Sequence, residues 1–130
     1  MEGGMDFNES LSLRVALLAG TPADSFDAVI ANLVYPDGAA VLCGSLHQFG
    51  VRLAVISGGF TTVASHVRGE LGLDCDTANT LEFGADGAFT GRTVGPVVNS
   101  QRKADLLVAN TDAEGIPMDQ VVAIGDGAND

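Results

Sequence analysis

The chain has 130 residues, 46% of them hydrophobic and 18% charged, a mixture that suits one soluble globular domain, or part of one, and excludes a disordered segment. Its 17 acids against 6 bases give a net charge of -11, which argues against nucleic acid or an anionic membrane as the main partner. Cys43 and Cys75 are too few for a disulfide framework, and with no leader-like or membrane-length apolar stretch the expectation is a reduced, cytoplasmic protein.

Taken in order, residues 6–18 read as a helix with Phe7, Leu11, Arg14 and Leu18 on one stripe, so that Arg14 falls inside an apolar seam. Its neighbours three and four positions away are Ser10, Leu11, Leu17 and Leu18, none of them an acid. Two readings stay open for Arg14: a side chain snorkelling past apolar neighbours to water, or a guanidinium that waits for an external carboxylate or phosphate. Thr21-Pro22-Ala23-Asp24 has the form of a helix start with Thr21 as N-cap, followed by the apolar set Phe26, Val29, Ile30 and Leu33. After Tyr35-Pro36-Asp37-Gly38 a third helix carries Ala39, Leu42, Leu46 and Phe49 on one face and stops at Gly50, with His47 off that face.

From there the pattern becomes α/β. Residues 51–56 form an apolar run of strand length, followed by Ser57-Gly58-Gly59-Phe60 and a helix to about residue 71. A strand, glycine turn and helix start can bind an anion, because unpaired N–H groups and the positive end of the dipole face it and Ser57 adds a hydroxyl. Glycines after a strand more often simply make a turn. Residues 75–78 are the next strand, and residues 81–94, with Asp86-Gly87 between two alternating runs, predict a β-hairpin. A helix follows from residue 99 or 100 to about 114, ended by Gly115. Lys103, the only lysine, lies in its first turn, where a cation opposes the dipole unless an anion is near. The last ten residues, VVAIGDGAND, predict a buried strand that delivers Asp126, Asn129 and Asp130 to a loop at its C-terminal end, where α/β domains place their chemistry.

Together these segments supply a hydroxyl with backbone donors at Ser57, Gly58 and Gly59, one ammonium at Lys103, and carboxylates at Asp126 and Asp130. Such a set suits phosphoryl chemistry, where spreading negative charge is met by donors, cations and a hard divalent ion. A dinucleotide fingerprint at Gly125-Asp126-Gly127 is discounted, since it lacks the third glycine and does not open a helix.

On the stretches VISGG, Lys103, GDGAND, TGRTVGPVV and the opening MDFNESLSLRVALL, the chain resembles the haloacid dehalogenase superfamily and, within it, the phosphoserine phosphatases. The resemblance implies an α/β fold with a partial Rossmann-like parallel sheet, a helical cap segment over residues 1–36, and a core over 37–130 that carries the hairpin. It implies that Ser57 and the amides of Gly58 and Gly59 bind phosphoryl oxygens, that Lys103 neutralises charge, and that Asp126 ligates Mg2+ with Asn129 and Asp130 in support. In the cap, Arg14 takes the carboxylate of the small-molecule substrate, O-phospho-L-serine, and Phe7 shapes the pocket. The superfamily's first motif, Asp-x-Asp-x-Thr with the aspartate nucleophile, has no counterpart before the cap. The chain is therefore expected to be a fragment of a longer protein, with Met1 internal to it. By itself it is expected neither to fold stably nor to hydrolyse phosphoserine, because the missing strand would leave apolar sheet edges unpaired. The alternatives are a phosphatase or phosphotransferase for another small phosphorylated metabolite, and a non-catalytic phosphate-binding domain.

Overall fold

The computed structural model describes residues 6–127. Among them five α-helices and three strands follow in the order α1 (Phe7–Ala16), α2 (Phe26–Ala31), α3 (Ala39–Gln48), β1 (Ala54–Phe60), α4 (Thr61–Leu71), β2 (Cys75–Phe83), β3 (Phe89–Val94) and α5 (Ser100–Glu114). The sheet order is β1-β2-β3, with β1 and β2 parallel and β2 and β3 antiparallel. The α/β class is as expected, and two of the predicted strands merge: the first arm of the hairpin continues the 75–78 run, so that one strand pairs with β1 through its first half and with β3 through its second.

The hairpin forms where Asp86-Gly87 predicts it. Gly87 takes φ +78° and the Asp86 carboxylate accepts from the Ala88 N–H at 3.1 Å, a local turn that only a residue without Cβ adopts cheaply at the second position. Helix α1 lies on this hairpin. Asp6 caps it by accepting from the Glu9 N–H at 2.7 Å, and Leu11 and Val15 bury against Leu81 and Phe89, with Phe7, Leu18 and Phe26 around them.

Three local expectations change. The buried stripe of α1 runs through Phe7, Leu11, Val15 and Leu18, which leaves Arg14 exposed and one position round from the seam; at 3.6 residues per turn Val15 and Arg14 compete for that face, and the apolar side chain takes it. Thr21 does not cap a helix, because its carbonyl accepts from the Phe89 N–H at 2.8 Å while Gly20 and Ala23 donate to the Phe89 and Gly87 carbonyls. The connector is thereby stitched to the hairpin, and a 3-10 turn over Ala23–Ser25, with Pro22 before it, leads into α2 at Phe26. Finally, residues 121–126 form no strand: Val121 is extended, but no ladder holds the run, and Val122 and Ile124 are exposed. Apolar alternation specifies a strand only where a neighbouring edge offers N–H and C=O groups, and among the described residues the outer edge of β1 pairs with nothing.

Candidate active site

The segment Ser57-Gly58-Gly59 lies inside β1, not in a turn after it. Ile56 pairs with Thr77 and Phe60 with Asn79, so four steps on β1 face two on β2, and the extra residues bulge out of the ladder just before α4 begins at Thr61. Within the bulge the Gly59 N–H donates to Ser57 Oγ at 2.9 Å, which leaves the hydroxyl proton of Ser57 to donate elsewhere. A Cβ on Gly59 would stand 3.2 Å from that same oxygen, tight enough to disturb the turn. The bulge turns these groups out of the sheet at the C-terminal end of a parallel strand, next to the N-terminus of an 11-residue helix.

Lys103 enters from α5. Asn99 caps that helix by accepting from the Arg102 N–H at 2.9 Å, and Lys103, half-buried, donates its backbone N–H to the Asn99 carbonyl at 2.9 Å. Two asparagines that the motif reading passed over connect these parts. Asn79, in the middle of β2 and 2% exposed, donates from Nδ2 to the Gly58 carbonyl at 3.0 Å and accepts at Oδ1 from the Val98 N–H at 2.8 Å. Asn99, next to Val98, donates from Nδ2 to the Asn8 side-chain oxygen of α1 at 3.0 Å. In sequence Asn79 is only an amide between Ala78 and Thr80 and carries no signal; its burial is what requires both of its polar ends to be satisfied.

The expected site residues divide accordingly. Ser57, Gly58 and Gly59, the N-terminal turn of α5 with Lys103, and the first turn of α1 with Phe7 are brought together through Asn79 and Asn99. Phe7 contributes to the core cluster rather than standing free of it. Arg14 is exposed on α1, with Nε 3.4 Å from the Ser10 carbonyl of its own helix. Asp126 is exposed at the end of the 121–126 stretch, and neither it nor Lys103 is an isolated charge. Asn129 and Asp130 lie outside the described residues.

The other acids near the sheet are committed elsewhere. Asp74 pairs with Arg52 at 3.1 Å and accepts from the Leu53 N–H, and Asp76 pairs with Arg68 at 2.7 Å and accepts from Ser65. Both stand at the start of β2, the opposite end of the parallel pair from the Ser57 bulge. Beside them, burial first and the Asp74 charge second push the Cys75 thiol above its usual range, so it is a poor nucleophile. Among the described residues no three His, Cys, Asp or Glu side chains cluster to cage a metal, and no helix is long and apolar enough to cross a membrane.

Residues 3–130 match the haloacid dehalogenase-like hydrolase family. The chain belongs to that family. Over its whole length it is 48% identical to the phosphoserine phosphatase of Streptomyces coelicolor and 45% identical to a probable phosphoserine phosphatase of Schizosaccharomyces pombe, covering 32% and 44% of those proteins. Among solved structures it superposes on the unliganded probable phosphoserine phosphatase of Vibrio cholerae with a TM-score of 0.91 at 38% identity, covering 100% of this chain and 40% of that one. A substrate-bound phosphoserine phosphatase complex matches with a TM-score of 0.90 at 36% identity over 99% of this chain and 61% of that one. The chain thus spans about a third to three-fifths of the length of the relatives it matches.

Proposed function

We propose that this chain supplies the phosphate-binding and cap part of a phosphomonoester hydrolase that releases phosphate from O-phospho-L-serine. The observation that carries the reading is its identity of 45% or more, across all 130 residues, to proteins named phosphoserine phosphatases. In it the Ser57 hydroxyl and the Gly58 amide bind the phosphoryl oxygens while the Gly59 amide holds Ser57 Oγ, Lys103 meets their charge, and Arg14, with no acid three or four positions away on its helix, takes the substrate carboxylate. Phe7 bounds the pocket from the first turn of α1. The nucleophile is an aspartate outside this chain; one solved relative is described as a phospho-aspartyl intermediate analogue, which supports that step for the family.

A magnesium ion suits the donor set. Mg2+ is held through one or two carboxylates, waters and substrate phosphate rather than by an all-protein cage, and Asp126 offers one exposed hard oxygen ligand, with Asp130 and Asn129 in support. When bound, the ion neutralises charge that builds on the transferring phosphoryl group. Asp126 would hold it, and Lys103 would hold the phosphate against it.

A second reading, hydrolysis of another small phosphorylated metabolite, is favoured by a structure described only as a family hydrolase from Salmonella enterica, with a TM-score of 0.93 at 32% identity. One assay separates the two. In the full-length protein with Mg2+, phosphate release from O-phospho-L-serine should fall about a hundredfold or more in Lys103→Ala. Arg14→Ala should lower kcat/KM about ten- to a hundredfold for O-phosphoserine, yet leave O-phosphoethanolamine, which lacks the carboxylate, unchanged. Equal effects on both substrates would favour the second reading, and phosphate binding without turnover would favour a non-catalytic domain.

A further inference from the structure

We propose that Asn79 is a positioning residue that sets the spacing between the Ser57-Gly58-Gly59 bulge and the first turn of α5 that carries Lys103; this rests on the functional reading above. Three observations converge on it. The side chain is 2% exposed in the middle of β2, and an amide so buried is costly unless both of its ends are used. Both are used, and by backbone groups that belong to the two halves of the phosphate site: Nδ2 to the Gly58 carbonyl at 3.0 Å and Oδ1 from the Val98 N–H at 2.8 Å. Val98 is itself buried and directly precedes Asn99, the residue that caps α5.

The geometry explains why the link is needed. The bulge has lost its ladder bonds between Ile56 and Phe60, so β2 cannot register it through the sheet. The 95–99 connector likewise belongs to no strand. One rigid amide spans the two unladdered segments, and its planar fork fixes donor and acceptor directions together. If the Gly58 carbonyl is pinned, so is the Gly59 N–H of the same peptide plane, and with it the Ser57 Oγ that this N–H holds at 2.9 Å; if Val98 is pinned, so is the start of α5. Placing donors and an ammonium around one phosphoryl group depends on this spacing, since a shift of about 1 Å at such a site can cost about a hundredfold in rate.

Asn79→Asp tests the link in both of its states. Protonated, the introduced carboxyl has one O–H for the Gly58 carbonyl and one oxygen for the Val98 N–H, which reproduces the native pair. Ionised, it has no donor and faces the carbonyl with like charge; burial and that carbonyl both raise its pKa. The native partners are backbone groups that do not titrate, so the wild-type link is insensitive to pH.

The experiment measures kcat and KM for O-phospho-L-serine, and inhibition by inorganic phosphate, from pH 5.5 to 8 on full-length wild type, Asn79→Asp and Asn79→Ala, with the folded fraction followed by circular dichroism. Relative to wild type, Asn79→Asp is expected near parity at the acid end and about tenfold or more lower in kcat/KM at the alkaline end, with KM and the phosphate inhibition constant rising together. Asn79→Ala should stay low across the range. A flat ratio for Asn79→Asp, or unchanged phosphate inhibition in a folded variant, would overturn the proposal. So would failure of Asn79→Asp to fold at every pH, which would make Asn79 a folding residue only. Wild-type protein that releases no phosphate from phosphoserine would instead overturn the functional reading, and this inference with it.

Discussion

On the hairpin side of the sheet, Leu11 and Val15 of α1 retain 3% and 1% of their exposure against Leu81 and Phe89; on the other side, Phe49 of α3 and Ile124 of the 121–126 stretch keep 85% and 89%. In sequence α3 is the more apolar of the two helices, and its helical stripe is as clear as that of α1. What separates them is a complementary surface. The connector after α1 donates to and accepts from the hairpin backbone, which holds α1 over Gly91 and closes a core. The outer edge of β1 has no strand partner among the described residues, so neither α3 nor the 121–126 run has a flat surface to cover. The lesson for the site follows. Ser57 to Gly59 and Lys103 are tied through Asn79 to the packed side, whereas Asp126 stands at the end of the unpacked one.

The largest effect expected from this contrast is in stability. Phe89 is 7% exposed and meets Phe26 edge-on, with ring centroids 5.7 Å apart. Phe89→Ala should cost about 3–5 kcal/mol, through lost burial, an unfilled cavity and the lost ring pair. Ile124→Ala should change stability by no more than about 0.5 kcal/mol. Urea unfolding of both variants checks the pair, and a comparable loss from each would show that the 121–126 stretch packs in solution.

The same contrast explains what could be read from sequence. Helices α1, α3, α4 and α5 and the Asp86-Gly87 hairpin were legible because caps, glycine stops and turn chemistry are local signals. The 121–124 strand was mistaken because its pattern is only half of a ladder. Arg14 was assigned to the seam because two stripes, one through position 14 and one through 15, fit the helical period about equally, and only packing against the hairpin chooses between them. Of the site, Ser57, Gly58, Gly59 and Lys103 were visible as types that suit phosphate. Asn79 and Asn99 were not, because their meaning lies in partners 21 and 91 residues away in the chain.

The next effect in size tests how closely α1 must approach the hairpin. Gly91 has φ +91°, and a Cβ there would come within 3.2 Å of the Ala19 Cβ and 3.4 Å of the Ala16 backbone. Gly91→Ala therefore combines a left-handed backbone with a crowded helix contact, and should cost about 1–2 kcal/mol or more by urea unfolding. Little or no loss would mean that α1 sits less tightly on β3 than the packing of Leu11 and Val15 requires.

The smallest effect is at the outer face of the hairpin, where Glu82 accepts from Arg92 at 2.9 Å and from the Thr90 hydroxyl at 2.9 Å. The Arg92 hydrogen bond first, then that of Thr90, holds the carboxyl below its ordinary value of 4.5. A carboxylate whose pKa is lowered in the folded state binds protons more readily when unfolded, so its stabilisation is complete above the ordinary carboxylate pKa and fades as pH falls through the lowered one. Glu82→Gln should therefore be less stable than wild type at neutral pH, with the gap narrowing below about pH 4.5 as wild type loses its advantage. The shift is expected to be small because the pair is solvent-exposed, and added salt should shrink it further. A gap that does not narrow with acid would show that the cost of the substitution lies outside the Glu82 charge, in the hydrogen bonds from Arg92 and Thr90 that the introduced amide disturbs.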